Sequence, residues 1–141
     1  MLERFEIVSR SIADTTRVRI LKMLAPGELC VCQITAILGL APATVSKHLS
    51  ILNVADLLSK RKEGRWVYYR LSSHNYNPYA QTVLNLMEGI LNDDTVIVED
   101  KKRLDKVMIV PLTKLCGDGR YIFKDKSSKK NIISWWYWFF W

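Results

Sequence analysis

The pair Gly39-Leu40 stands between two short runs with helical apolar spacing, and that interruption constrains the fold more than any other feature of the chain. Upstream, Leu2, Phe5, Ile7, Val8, Ile12 and Ala13 recur at the spacing of an amphipathic helix, and Asp14 is a capping residue for a second helix carrying Val18, Ile20, Leu21 and Leu24 on one side. Pro26-Gly27 ends that helix. A third helix is predicted from about Cys30 to Leu38, stopped by Gly39, and a fourth opens at Ala41-Pro42, where proline suits the first helical position. The fourth runs to about Ala55 with Val45, Leu49 and Leu52 facing inward. Two short helices around so tight a turn make a helix-turn-helix, whose second helix is the candidate for insertion into a groove of DNA.

Beyond Asp56 the period changes from about 3.6 to 2. Leu57 to Lys62 and Arg65 to Leu71 are strand-like runs around Glu63-Gly64, with Val67, Tyr68 and Tyr69 as β-formers. The tip of this hairpin carries Lys60, Arg61, Lys62 and Arg65. A basic hairpin directly after a recognition helix reads as a wing that meets phosphates or a minor groove. The expected class is therefore mainly α with a β-hairpin wing (α+β), a winged helix-turn-helix. Residues 78–91, with Tyr79, Val83, Leu84, Leu86, Met87, Ile90 and Leu91, are apolar around much of a helix, more than one small domain can cover. A homodimer through this helix and the N-terminal helix is expected. Asp94 then caps a charged helix, Thr95 to about Val107, expected to pack across the partner.

The net charge of +7 over 141 residues favours a polyanionic partner. The excess is uneven: residues 1–75 hold 11 Lys/Arg against 6 Asp/Glu, residues 76–119 hold 5 against 7, and residues 120–141 hold 5 against 1. Three cysteines without a signal peptide read as reduced, unpaired thiols in a cytoplasmic protein rather than a disulfide scaffold. No apolar stretch approaches the roughly 18 residues needed to span a bilayer, so no membrane partner is expected. Residues 1–118 read as one DNA-binding and dimerisation domain. Residues 119–141, a lysine-rich linker followed by the aromatic run Trp135 to Trp141, read as a disordered tail.

Cys30 and Cys32 open the third predicted helix in Glu28-Leu29-Cys30-Val31-Cys32. In a regular helix, side chains at i and i+2 diverge by about 200°, so chelation of one ion by both thiols is expected to bend or unwind the first turn. That would pull on the element expected to dock on DNA.

Four ordered motifs carry a resemblance to a known family. They are Ala13 to Leu21 in Ala-Asp-Thr-Thr-Arg-Val-Arg-Ile-Leu, Glu28 to Cys32, Ala43 to Leu49 in Ala-Thr-Val-Ser-Lys-His-Leu, and Lys62-Glu63-Gly64-Arg65. Over about residues 2 to 118 the chain resembles the ArsR/SmtB family of metal-responsive repressors. The resemblance implies a homodimer that binds an inverted-repeat operator in double-stranded DNA and releases it when a soft or transition ion binds. It also implies that Cys30 and Cys32 form the arsenic or cadmium/lead type of site, where soft thiolates select soft ions. The cadmium/lead sensors add cysteines from the N-terminal arm, and residues 1–29 contain none, which favours arsenite or antimonite as inducer. Arsenic-type relatives often carry a further cysteine where this chain has Thr35. That leaves the third ligand open, with Cys116 the one spare thiol, read as idle.

By the family pattern, Ala43, Thr44, Ser46 and Lys47 form the DNA face of the fourth helix, Ala43 being suited to a thymine methyl. His48 either contacts phosphate or packs against the wing, and Lys60, Lys62 and Arg65 complete the DNA set. The zinc-type site is not expected, because Tyr79 to Leu91 contains no histidine and one acid, Glu88. His74 reads as a lone surface residue. No nucleophile, histidine and acid constellation and no phosphate-cradling glycine loop points to an enzyme, and no organic cofactor is implied. The alternative on the same scaffold is a thiol redox-responsive or cadmium/lead-responsive repressor.

Overall fold

The computed structural model describes residues 1–74 and 76–117. Among the described residues, seven helices and three short strands follow in the order α1 (Leu2–Ile12), α2 (Thr15–Leu24), β1 (Leu29–Cys30), α3 (Val31–Leu38), α4 (Pro42–Val54), β2 (Leu58–Glu63), β3 (Trp66–Leu71), α5 (Pro78–Gly89), α6 (Thr95–Met108) and α7 (Leu112–Gly117). This is a winged helix-turn-helix, as the spacing predicts, and the expected tail over 119–141 lies outside the described residues.

Local chemistry sets most boundaries. The Asp14 carboxylate accepts from the Arg17 backbone N–H at 3.0 Å and caps α2. At the end of α3, Gly39 takes a left-handed φ of +66°, and its N–H donates to the Thr35 carbonyl at 2.9 Å. The chain then turns so that α4 leaves α3 with a bend of 114°, within the helix-turn-helix range. At the far end of α4, Asp56 adopts φ +64°, its N–H bonding to the Asn53 carbonyl while Leu57 N–H reaches back to that of Leu52 at 3.1 Å. This paired closure is a Schellman motif, and it aims the chain from α4 into the wing.

The wing pairs β2 and β3 antiparallel from Leu58↔Leu71 to Glu63↔Trp66. The two-residue turn is therefore Gly64-Arg65, one residue later than the sequence suggested, with glycine in the left-handed conformation at its first position. Two-residue β1 adds a third strand on the other side of β3, in register Leu29↔Tyr69 and Cys30↔Tyr68. Ile20, Ile34, Ile37, Val45, Leu49, Leu52 and Leu57, all fully buried, pack the helix-turn-helix, α2 and the wing into one core.

One expectation is corrected. Helix α3 begins at Val31, leaving Cys30 as an extended N-cap residue (φ −72°, ψ 149°) held in the β1–β3 ladder. Within the chain, α6 packs on α2 and α3. Arg19 makes a bidentate pair with Asp100 at 2.7 and 2.8 Å, and Arg103 donates to the Ile37 carbonyl at 3.3 Å. Asp94 caps this helix through the N–H groups of Val96 and Ile97. Because α6 returns across α3, the short helix α7, not anticipated from the sequence, lands against α3.

Asp100 is only 3% exposed, so its charge depends on Arg19. Arg19→Met strands a buried carboxylate and is expected to cost about 3 kcal/mol. Urea unfolding of wild type and variant at equal chain concentration measures this.

Candidate functional site

The sulfur atoms of Cys30, Cys32 and Cys116 all lie within 4.8 Å of one another, the one candidate cluster of metal-binding side chains among the described residues. Each comes from a different local setting. Cys30 is the last residue of β1 and is 1% exposed. Cys32 sits in the first turn of α3, half-buried, and half-buried Cys116 lies in α7. The Gln33 side chain accepts from the Cys30 backbone N–H at 2.8 Å, so the residue directly after Cys32 holds Cys30 in its extended conformation.

This geometry overturns two sequence readings. The opposed directions expected of i and i+2 thiols do not apply, because Cys30 lies outside the helix. The sulfurs converge with the first turn of α3 intact. Cys116 is not idle: it is joined to Cys32 by a disulfide with Cα atoms 5.6 Å apart, inside the range for such a bond, while Cys30 remains a free thiol. The expectation of three unpaired thiols fails because a separation of 84 residues hides the approach that α6 imposes. Three soft donors so close suit a thiophilic ion with three-coordinate preference once the pair is reduced.

The ladder Cys30↔Tyr68 connects this cluster to the wing. Above Tyr68 the Arg61 guanidinium lies 4.4 Å from the ring centroid and forms a fork to Glu28, two residues before Cys30, with a further bond to Glu63 at 2.7 Å. The Arg61 hydrogen bond holds the Glu28 carboxyl below its ordinary range, and the same bonds push the Arg61 pKa up. Nothing in the sequence pairs residues 33 apart, so Glu28 was missed as a wing residue. Its place beside the Cys-x-Cys run was the only hint.

The residues expected to face DNA lie on α4 and the wing. Ala43, Ser46 and Lys47 are exposed and Thr44 half-exposed on α4, and Lys60, Lys62 and Arg65 are exposed on the wing, Arg65 lying 5.2 Å from the Trp66 ring centroid. Arg61, by contrast, is committed to carboxylates. His48 meets α2, a neighbour that its sequence reading did not name. Its ring turns beneath α4 toward α2, with Nδ1 3.4 Å from an Arg17 nitrogen and 3.9 Å from the Asp14 carboxylate. Arginine can only donate, so in the neutral ring Nδ1 is the acceptor of this contact. Arg17 itself closes the end of α1 through the carbonyls of Ser11 and Arg10. His48 therefore ties the recognition helix to α2. His74 is exposed, as expected.

On the opposite side, α1 and α5 meet through an edge-to-face contact of Phe5 and Tyr79 at 5.4 Å. Leu84 and Met87 are buried within the chain, which trims the expected dimer face. Leu2, Phe5, Ile7, Leu86 and Leu91 remain exposed. No single helix among the described residues is long and apolar enough to cross a membrane.

Comparison with known proteins agrees with this architecture. Residues 14–60 match the family model "Bacterial regulatory protein, arsR family". The chain is 47% identical over 87 residues to the arsenic resistance transcriptional regulator ArsR1 of Pseudomonas putida, covering 61% of this chain and 65% of that protein. It is 35% identical over 103 residues to the arsenical resistance operon repressor of Bacillus subtilis, covering 72% and 88%. The chain thus spans less than two thirds of the Pseudomonas relative. Among solved structures, the homodimeric winged helix-turn-helix DNA-binding domain of Mb0332 from Mycobacterium bovis is similar, with a TM-score of 0.54, 28% identity, and coverage of 62% of this chain and 78% of that one.

Burial lowers the His48 pKa from 6.5, as do Arg17 and Lys47, while Asp14 opposes the shift. A lowered folded value means that the unfolded chain takes up the proton first as pH falls. The contribution is therefore present above pH 6.5 and is lost on descent below it. Urea unfolding from pH 7.5 to about 5.5 is expected to show a shallower loss of stability in His48→Gln than in wild type.

Proposed function

Because this chain belongs to the arsR family of bacterial regulatory proteins, we propose that it is a DNA-binding transcriptional repressor. It releases its operator when arsenite or antimonite binds Cys30, Cys32 and Cys116. The convergence of three sulfurs at the entrance of the helix-turn-helix carries this reading. Trivalent arsenic exchanges three hydroxides for three thiolates, and three cysteines are all that this chain has. Bond formation draws α7 and β1 against the first turn of α3. The shift in α3 reaches α4 through the Gly39 turn and reaches the wing through Cys30↔Tyr68. No other element is needed to connect inducer and reader.

The protein acts as a homodimer, each copy offering the exposed side chains Leu2, Phe5 and Ile7 of α1, Leu86 of α5, and Leu91 just beyond it. Two α4 helices related by a two-fold axis read an inverted repeat with half-sites about one helical turn apart. Thr44, Ser46 and Lys47 face base edges and phosphates, Ala43 meets an apolar group such as a thymine methyl, and Lys60, Lys62 and Arg65 of the wing neutralise backbone charge.

Gel-shift titration with arsenite on an inverted repeat selected from random DNA tests the inducer. Cys30→Ser and Cys32→Ser are expected to bind DNA normally and to lose release. Cys116→Ser is expected to need at least about tenfold more arsenite, equivalent to roughly 1.4 kcal/mol. Undiminished release in all three variants removes the cluster from the mechanism.

The DNA surface has its own test. Lys47→Ala and Arg65→Ala are each expected to weaken operator binding and lower the salt slope by about one. Arg61→Ala is expected to leave the slope near wild type, since Glu28 and Glu63 already neutralise that charge.

A further inference from the structure

We infer that the Cys32–Cys116 pair is a thiol–disulfide gate on the inducer site: when joined, it bars trivalent arsenic and leaves the repressor on DNA, and when reduced, it admits the metalloid. This rests on the reading of the three-sulfur cluster as the inducer site.

The assignment begins with which sulfurs are joined. Cys32 and Cys116 are half-buried and within reach of small oxidants and reductants, whereas Cys30 is 1% exposed. The accessible pair carries the bond and the inaccessible thiol is spare. With the bond in place one thiol remains, and the chain has no fourth cysteine to replace the two consumed. A single thiolate holds trivalent arsenic too weakly to compete with water and small thiols.

The joined state also preserves the reader. With Cys32 bonded to Cys116, α3 is helical from Val31 to Leu38, Gly39 makes its left-handed turn, and α4 is held on α2 through His48 and Arg17. The bond fastens α7 to the first turn of α3 without distorting it. Oxidation by itself therefore does not release DNA, which separates this gate from a repressor switched off by oxidants.

Both steps balance. Hydrogen peroxide takes two electrons and two protons from the Cys32 and Cys116 thiols, giving the disulfide and two waters. Two equivalents of a small monothiol, R–SH, restore both protein thiols by exchange and leave as R–S–S–R. The reduced cluster then takes up As(OH)3 with loss of three waters, one for each thiol proton.

The test compares full-length protein reduced with a phosphine, which is then removed, with the same protein after treatment with hydrogen peroxide. Peptide mass mapping is expected to join Cys32 to Cys116 and to find alkylated Cys30. Equilibrium dialysis against arsenite is expected to give one arsenic per reduced chain and less than one tenth of that in the oxidised chain, with recovery on re-reduction. On the selected operator, the oxidised protein is expected to bind as tightly as the reduced one and to resist release by at least tenfold more arsenite. Cys116→Ser is expected to keep two alkylatable thiols after peroxide. Equal arsenic uptake by oxidised and reduced wild type overturns the gate, as does operator release by oxidation alone or a bond that recruits Cys30. If the reduced protein takes up no arsenic, the inducer assignment itself falls, an outcome distinct from equal uptake by both forms.

Discussion

The bidentate pair between Arg19 and Asp100 decides where the C-terminal third of the described chain lies. An aspartate this buried is tolerated only with its charge matched and its oxygens bonded, and the arginine fork on α2 supplies both. Once α6 is fastened there, its course over α3 follows, and Arg103 adds a bond to the end of α3 at the Ile37 carbonyl. Only then does α7 reach the N-terminus of α3 and bring Cys116 to Cys32.

A second constraint acts at the smallest element of the fold. Strand β1 has two residues, yet its pairing with β3 holds Cys30 extended and places it opposite Tyr68. Glu28 at the edge of that strand grips Arg61, and Arg61 lies over Tyr68. Sulfur chemistry and wing thus share a few residues of backbone. The basic residues divide accordingly: Arg61 is structural, while Lys60 and Lys62 are exposed and Arg65 lies over Trp66 on the hairpin that Arg61 braces.

Much of this was legible in the chain. The 3.6-residue spacing of Ile20, Leu21 and Leu24, and of Val45, Leu49 and Leu52, marks helices that bury one face, and Gly39 and Pro42 mark a turn that few other residues could make. The wing followed from alternation and from glycine at a position of positive φ. Where the reading failed, the signal was too short or too distant. A two-residue strand has no period, so Cys30 was assigned to the helix it caps. Nothing local marks His48 as a neighbour of Asp14 and Arg17, since a helical wheel gives direction but not neighbour.

By itself the sequence determined the helices, their order, the turn between α3 and α4, the hairpin, and the presence of soft donors at the threshold of the reading helices. These depend on interactions between residues a few positions apart, which spacing and side-chain type express directly. Only the tertiary structure decided that α6 folds back on its own chain, that Cys116 meets Cys32 across 84 residues, that Cys30 stays buried and free, and that Arg61 is bound while its neighbours are not. The reason is that closing a long loop costs little more than closing a moderate one, so many distant pairings are open to the chain. Matched buried charge and core packing select among them, and neither is written in any local stretch.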